Sequence, residues 1–310
     1  MKDTLIIGSR GSKLALKQAE SIQAELILRH PSIEVRIEII RTTGDVKTEP
    51  LSVIGGKGVF TKELEEALLD GRIDLAVHSL KDLPTIVPES LRIAAICRRE
   101  DPRDALVLNW PVEASSGGLT SLREGAVVGT SSQRRLAQIK HLRPDLDFKD
   151  VRGNVDTRLR KLDEGQYDAL VLACAGLRRL GLENRLGAIL STTEMLPAVG
   201  QGALAIETRA DDAGTVAVVT TLDDAPTRLA CTAERAFLRG LGGGCELPIA
   251  GYAEVDGEQI RLQGLVADRL GERILRDEIR GSWDKAETLG QQLASLLLQR
   301  GANTLLEKAS

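Results

Sequence analysis

Two kinds of apolar spacing alternate along the first part of the chain. Short apolar runs such as TLIIG (4–8) and IDLAVHS (73–79) are typical of buried strands, whereas SKLALKQAESIQAELILRH (12–30) places apolar residues at helical spacing. Ser12 begins that segment, where its hydroxyl can cap the helix. Because strands and helices alternate, the pattern predicts an α/β fold with parallel strands.

The same pattern occurs twice. Segment 126–142 (AVVGTSSQRRLAQIKHL) repeats the order found in 5–20: a strand, a glycine, small polar residues and a helix with a basic start. Segment 162–180 repeats 68–83 in the same way. We therefore predict two similar α/β lobes with a ligand cleft between them, since such lobes bind ligands at the carboxyl ends of their strands.

The pattern changes after about residue 222. A helix that ends in glycines, three segments with strand alternation and a closing amphipathic helix predict a small α+β domain with a three-stranded antiparallel sheet. Another strand, within 196–209, is expected to return to the first lobe. The predicted domains are a first lobe (1–100 plus 197–221), a second lobe (101–196) and a C-terminal domain (222–310).

Composition narrows the range of partners. A chain of 310 residues with 42% apolar content can bury more than one core. Its net charge of −4 and its 2% of aromatic residues disfavour nucleic-acid binding, which uses basic surfaces and stacked aromatic rings. Neither a long apolar span nor a signal-peptide pattern is seen, so we expect a cytoplasmic protein that does not contact membranes.

Basic side chains stand at three predicted helix starts. A helix N-terminus carries partial positive charge and favours acidic residues, so these positions are in conflict with the helix dipole. An anionic ligand would explain the conflict, because free N–H groups and arginine forks bind carboxylate or phosphate; the alternative is that each side chain extends into water. The residues concerned are Arg10, Lys13, Arg134, Arg135, Arg152, Arg158, Arg160 and Lys161.

Two further segments suggest chemistry. In VHSLKDLP (77–84), Asp82 follows a strand, where its carboxylate could stabilise a developing cation; a surface ion pair with Lys81 is the alternative. The glycine-rich segment 47–64 is not a P-loop, because Lys57 is followed by Gly58, and we predict a mobile lid there.

The cysteines differ in their surroundings. Cys97, Cys174 and Cys231 lie in apolar runs and are predicted to be buried and inert. Cys245 follows three glycines on a loop of the C-terminal domain. No cysteine or histidine spacing indicates a metal site, so we expect no bound metal.

Nine motifs follow one another along the chain: SRGSKLAL, RTTGD, GKGVFTKELEEALL, AVHSLKDLP, REDPRDALV, GTSSQRR, RGNVDTRLRKL, LPAVGQGALAIE and TAERAFLRGLGGGCELPIAGYA. Together they resemble the hydroxymethylbilane synthase (porphobilinogen deaminase) family over nearly the whole chain. Two departures, Gln133 where leucine is common and Gly11 between Arg10 and Ser12, remove no functional side chain. The resemblance implies two lobes like those of periplasmic binding proteins.

The resemblance also implies an activity. Four porphobilinogen molecules are condensed head to tail, and each loses ammonia to become a methylene-pyrrolenine cation that the free α-carbon of the growing chain attacks. Hydrolysis then releases the linear tetrapyrrole hydroxymethylbilane. The enzyme keeps a dipyrromethane cofactor, which it builds from its own substrate and holds covalently through Cys245. A monomer with porphobilinogen as its small-molecule partner is expected.

Residue roles follow from the same resemblance. Asp82 matches the catalytic aspartate, which faces pyrrole N–H groups, and Phe60 would cover a pyrrole ring from the predicted lid. Each pyrrole carries an acetate and a propionate, which require cationic partners. The cofactor- and substrate-binding positions are Arg10, Ser12, Phe60, Ser79, Lys81, Thr130, Ser132, Arg134, Arg135, Arg152, Arg158, Arg179, Gln201 and Gly202.

Three other functions would explain part of the sequence. A non-catalytic two-lobed module for a small polyanion would explain the cleft and the arginines but not Cys245. An enzyme acting on phosphate ligands with Cys245 as nucleophile would require a nearby base, and the three histidines form no such arrangement. A purely structural role leaves the repeated arginines unexplained.

Overall fold

The computed structural model describes residues 2–42, 61–109, 117–244 and 247–307. They form two compact units, Met1–Glu100 with Ala203–Arg228, and Asp101–Gly202 with Leu229–Ser310. The second segment of the first unit runs from Ala203 to Arg228. The lobe boundaries predicted from the sequence, with a return segment at 197–221, remain a prediction. A separate C-terminal domain from residue 222 remains a prediction.

Strands and helices alternate through both units. The strands are β1 (Thr4–Ser9), β2 (Glu34–Ile39), β3 (Leu75–Ser79), β4 (Leu91–Ile96), β5 (Asp104–Leu108), β6 (Val127–Gly129), β7 (Asp147–Lys149), β8 (Ala169–Ala173), β9 (Ala188–Ile189), β10 (Leu204–Arg209), β11 (Ile249–Asp256), β12 (Gln259–Ala267) and β13 (Ile274–Ser282). The α-helices are α1 (Lys13–Arg29), α2 (Lys62–Leu69), α3 (Gln133–Leu142), α4 (Val155–Asp163), α5 (Cys174–Arg179), α6 (Ala213–Val219), α7 (Ala225–Gly240), α8 (Ala286–Gln299) and α9 (Ala302–Glu307).

The first unit is built on a five-stranded sheet with the order β2-β1-β3-β10-β4. Strands β2, β1 and β3 are parallel, and β10 is antiparallel to both of its neighbours. Helix α1 buries Ile22 and Leu26 against Leu5 and Ile7 of β1. The predicted cap is confirmed, because the Ser12 hydroxyl accepts a hydrogen bond of 3.3 Å from the Ala15 N–H.

The second unit contains a sheet of the same topology. Its order is β7-β6-β8-β5-β9, with β7, β6 and β8 parallel and β5 antiparallel to β8 and β9. Each strand therefore has a counterpart at the same place in the first sheet. The prediction of two similar α/β lobes is confirmed by this match.

The C-terminal part of the second unit forms the predicted antiparallel sheet, in the order β11-β12-β13. Phe237 of α7 and Leu293 of α8 are fully buried in the core over this sheet. Gly264 permits the contact, since a Cβ there would lie 2.5 Å from the Phe237 ring. Within the four described stretches, no helix combines the length and apolarity that crossing a membrane requires.

Candidate functional site

In the first unit, the segment that carries Asp82 is anchored at the end of strand β3. Residues Leu80–Asp82 form one turn of 3-10 helix, with Leu80 buried and Asp82 exposed. The Leu80 N–H donates to the Ala203 carbonyl at 3.0 Å, and Gln18 of α1 donates to the Ser79 hydroxyl at 3.0 Å. The fixed backbone thereby presents the carboxylate of Asp82 to solvent.

Arg10 and Ser12 lie in the loop after the neighbouring strand β1. Because β1 and β3 are parallel, this loop and the turn of Asp82 are at the same edge of the sheet, the edge where open α/β sheets bind ligands. Arg10 is half-buried, and the oxygen of Ser12 caps α1. The first unit thus brings Arg10, Ser12, Ser79 and Asp82 to one edge.

In the second unit, Arg134 and Arg135 share one buried carboxylate. Both belong to the first turn of α3, and Asp104 begins β5. Arg134 donates from Nη1 to Oδ2 of Asp104 at 2.7 Å. Arg135 donates to Oδ1 of Asp104 from Nη2 at 2.8 Å and from Nε at 3.1 Å.

This pairing corrects the expectation that the two forks are open at a helix start. Arg134 and Arg135 are only 4% and 7% exposed, and each also donates to a backbone carbonyl, that of Leu196 and that of Val171. The carboxylate of Asp104, which belongs to the chain itself, offsets part of the positive charge at this helix start. The residue is absent from the sequence-based set, although its motif, REDPRDALV, is part of the resemblance.

The cluster of Arg134, Arg135 and Asp104 keeps an excess of positive charge. Burial would raise the pKa of Asp104, but the charges of the two arginines outweigh it and hold the pKa well below its usual range. Burial lowers the pKa of Arg134, although arginine titrates too high to lose its charge in a protein. Two buried positive charges therefore face one negative charge.

A second aspartate in the same motif, Asp101, also has two arginine partners. Asp101 accepts hydrogen bonds from Arg103 at 2.7 and 2.9 Å and lies 3.2 Å from Arg178. Burial would raise the pKa of Asp101, yet the bonds from Arg103 and the charge of Arg178 lower it. Asp101 thus has arginine partners of its own and does not neutralise the pair at Asp104.

Segment 200–202 joins the arginine cluster. The Nε2 of Gln201 donates to Asp104 Oδ1 at 2.9 Å and to the Pro102 carbonyl at 2.7 Å. Arg179 donates from Nη2 to the Gly202 carbonyl at 2.6 Å. The structure therefore brings together five predicted positions, which are Arg134, Arg135, Arg179, Gln201 and Gly202.

The remaining predicted positions of this unit lie in the loops after β6 and β7, except Arg158, which is in helix α4 after the second loop. Thr130 and Ser132 follow β6; the Ser132 hydroxyl caps α3 by accepting from the Arg135 N–H at 3.4 Å. Arg152 and Arg158 follow β7 and are half-buried. Arg152 donates to the Asp150 carboxylate at 3.1 Å, and Arg158 donates to a backbone carbonyl at 2.7 Å. Parallel pairing of β6 and β7 places both loops at the same sheet edge.

Comparison with family models decides the identity of the chain. Residues 5–217 match the model described as "Porphobilinogen deaminase, dipyromethane cofactor binding domain", and residues 228–299 match "Porphobilinogen deaminase, C-terminal domain". The chain belongs to the porphobilinogen deaminase family. It is a transferase of tetrapyrrole biosynthesis with a dipyrromethane cofactor-binding domain, as the motif resemblance implied.

Similar curated proteins carry the porphobilinogen deaminase name. The protein of Synechococcus sp. (strain RCC307) is 51% identical over 306 residues, which cover 98% of this chain and 96% of that protein. The protein of Roseiflexus sp. (strain RS-1) is 50% identical, with 99% of each chain covered. Among solved structures, the BvgS VFT2 domain of Bordetella pertussis aligns with 71% of this chain and 86% of its own at 13% identity and a TM-score of 0.42.

The residues present fit the cofactor that the family implies. A dipyrromethane with acetate and propionate groups is a polyanion, and the buried excess of positive charge at Arg134 and Arg135 suits such a group. Phe60 and Cys245 lie outside the described residues. The cleft predicted between the lobes remains a prediction.

Two of the other cysteines are too deeply buried for a covalent role. Cys174 and Cys231 are fully buried, as predicted, and burial together with the charges of Asp101 and Asp104 raises the pKa of Cys174 to about 12. Cys97 is half-buried and not buried as predicted, because it lies just beyond the end of β4. No group of potential metal ligands occurs within the described stretches.

Proposed function

We propose that this chain condenses four porphobilinogen molecules head to tail and releases hydroxymethylbilane, with Cys245, Asp82 and the arginine cluster as its main functional groups. When bound, the dipyrromethane supplies the α-carbon onto which each new pyrrole is joined.

The observation that carries this proposal is the charge excess at Arg134, Arg135 and Asp104. A buried charge is costly unless it is paired, so an anionic ligand is favoured beside this cluster. Bonds among the described residues use only Nη1 of Arg134, which leaves its Nε and Nη2 for a carboxylate. Acetate and propionate groups of pyrroles meet this requirement, and the planar fork suits their geometry.

Asp82 is proposed as the catalytic carboxylate. It is exposed at the carboxyl end of β3, and the buried Leu80 beside it fixes the turn. An ionised carboxylate there accepts hydrogen bonds from pyrrole N–H groups and stabilises positive charge that develops on the ring. It also accepts the proton that leaves the ring carbon after each condensation.

Cys245 is proposed as the attachment point of the cofactor. Among the other cysteines, Cys174 and Cys231 are fully buried and Cys97 is half-buried. The family model over 228–299 includes Cys245, and the glycines before it permit a tight approach of the loop to the ligand.

The remaining positions are proposed to bind the carboxylates and rings of the growing chain. We also propose that the protein is a cytoplasmic monomer, that it binds no nucleic acid, and that its C-terminal domain spans 222–310. The binding positions are Arg10, Ser12, Phe60, Ser79, Lys81, Thr130, Ser132, Arg152, Arg158, Arg179, Gln201 and Gly202.

A turnover assay with Asp82→Asn tests the proposal. The variant retains the cofactor, as seen by intact mass, but porphobilinogen consumption falls at least about 100-fold, the lower end for loss of a general acid–base group. Asp70→Asn, which changes an exposed carboxylate after α2, is the matched control with unchanged turnover. Normal consumption by Asp82→Asn would overturn the role of Asp82. Binding of porphobilinogen without turnover by the wild type would favour the non-catalytic module.

A further inference from the structure

Glu234 is a fully buried carboxylate to which the proposed reaction gives no role. It lies on α7, and both of its oxygens accept backbone hydrogen bonds. The Gly200 N–H donates to Oε2 at 2.7 Å, and the Ala253 N–H donates to Oε1 at 2.8 Å. Such charge-assisted bonds offset the cost of burying a carboxylate, and they fix the two backbone segments relative to the helix.

One of these bonds is made to the edge strand of the C-terminal sheet. Strand β11 is the outer strand beside β12, so its other side needs partners from elsewhere. Glu234 supplies one partner to the Ala253 N–H, and the Pro197 carbonyl accepts from the Gly251 N–H at 3.1 Å. The segment that begins at Pro197 therefore lies against this sheet edge.

The other bond holds Gly200, which is next in sequence to a residue that contacts the arginine cluster. Gly200 precedes Gln201, whose side chain donates to Asp104, and Gly202 accepts from Arg179. Gly200 and Gly202 have φ values of 72° and 91°, a backbone conformation that favours glycine. Three consecutive residues, all of them buried, are thus tied in turn to α7, to Asp104 and to Arg179.

We propose that Glu234 is a positioning residue that fixes Gln201, and through it Asp104 and the two arginines, relative to the C-terminal sheet and α7. The inference rests on the proposed function, because it assumes that the arginine cluster binds substrate carboxylates. Loss of one Glu234 bond then alters how tightly porphobilinogen is held, beyond any effect on folding.

Steady-state kinetics of Glu234→Gln test the inference. Rates are divided by the concentration of protein molecules that carry cofactor, which intact mass gives. The amide keeps one acceptor oxygen and turns an NH₂ group toward the second N–H. We expect KM for porphobilinogen to rise roughly tenfold, which corresponds to about 1.4 kcal/mol, while kcat changes less. Glu194→Gln is the matched control, since Glu194 also accepts a backbone N–H but is exposed; its KM stays at the wild-type value.

A double-mutant cycle with Gln201→Ala separates positioning from a merely structural role. If Glu234 acts through Gln201, the two substitutions together raise KM by less than the product of their single effects. Unchanged KM in Glu234→Gln, or independent effects in the cycle, would overturn the inference. If Glu234→Gln does not fold, Glu234→Asp replaces it, because the shorter carboxylate cannot reach both N–H groups.

Arg134→Lys in the same assay keeps the two proposals distinguishable. A raised KM in Arg134→Lys with wild-type KM in Glu234→Gln rejects only the role of Glu234. Wild-type KM in Arg134→Lys rejects the carboxylate-binding role of the cluster itself, and with it the basis of the inference.

Discussion

Arg135 and Asp104 are joined by two hydrogen bonds, from Nε and Nη2 to the same carboxylate oxygen, at 3.1 and 2.8 Å. The two residues are 31 positions apart in the sequence, and both are buried. Since Arg134 binds the other oxygen, one carboxylate orients both guanidinium groups. Asp104 therefore determines where the positive charge of the site lies.

Asp104→Asn should strongly destabilise the fold. The amide leaves two buried arginines without a charged partner, which costs about 3–5 kcal/mol in comparable buried pairs. Urea unfolding of the purified protein measures this loss. Asp163→Asn, which breaks the exposed pair with Arg185, serves as the control and should lose less than about 1 kcal/mol. Equal effects of the two substitutions would contradict the buried pairing.

Stability should fall in acid partly through Asp104. The pKa of Asp104 in the folded protein lies below its unfolded value of about 3.9. The contribution of Asp104 to the free energy of unfolding is therefore complete above that unfolded pKa and is lost as pH falls toward the folded pKa. Melting temperatures of the wild type should therefore drop as pH is lowered below about 5. Asp104→Asn, compared at each pH, should show a shallower drop, and an identical slope would contradict this assignment.

Arg134→Lys should weaken substrate binding more than it slows turnover. Lysine retains the charge but lacks the planar fork, so one carboxylate contact is lost and KM rises roughly tenfold. Steady-state kinetics on cofactor-loaded enzyme measure the change. Arg123→Lys, on an exposed side chain paired with Asp168, is the control. If both variants have the KM of the wild type, Arg134 does not bind substrate.

Cys174 should resist alkylation in the native protein. It is fully buried, and a pKa raised to about 12 leaves almost no thiolate at pH 8. Cys97, which is half-buried, should react first with iodoacetamide, as measured by peptide mass mapping over time. Faster labelling of Cys174 than of Cys97 would show that its surroundings are more open than the structure indicates.

Local patterns in the sequence predicted much of the fold. The repeated strand–glycine–helix segments predicted two similar lobes, and Ser12 was recognised as a cap because capping depends on residues a few positions away. Charge at a helix start is less informative. A basic residue at a helix start indicates that an anion is needed, but it does not show whether a ligand or the chain itself supplies that anion. The pairing of Asp104 with Arg134 depends on how the strands are arranged in space, which the local sequence pattern does not show. Cys97 was misjudged because its apolar run ends one residue earlier.

Covalent attachment of the cofactor to Cys245 is tested by the intact mass of the purified protein, with peptide mapping around residue 245. We predict a mass excess equal to two pyrrole units, located on Cys245 and absent from Cys245→Ala, with Cys97→Ala modified like the wild type. An unmodified Cys245 in protein expressed with haem precursors available, or the same mass excess in Cys245→Ala, would contradict it.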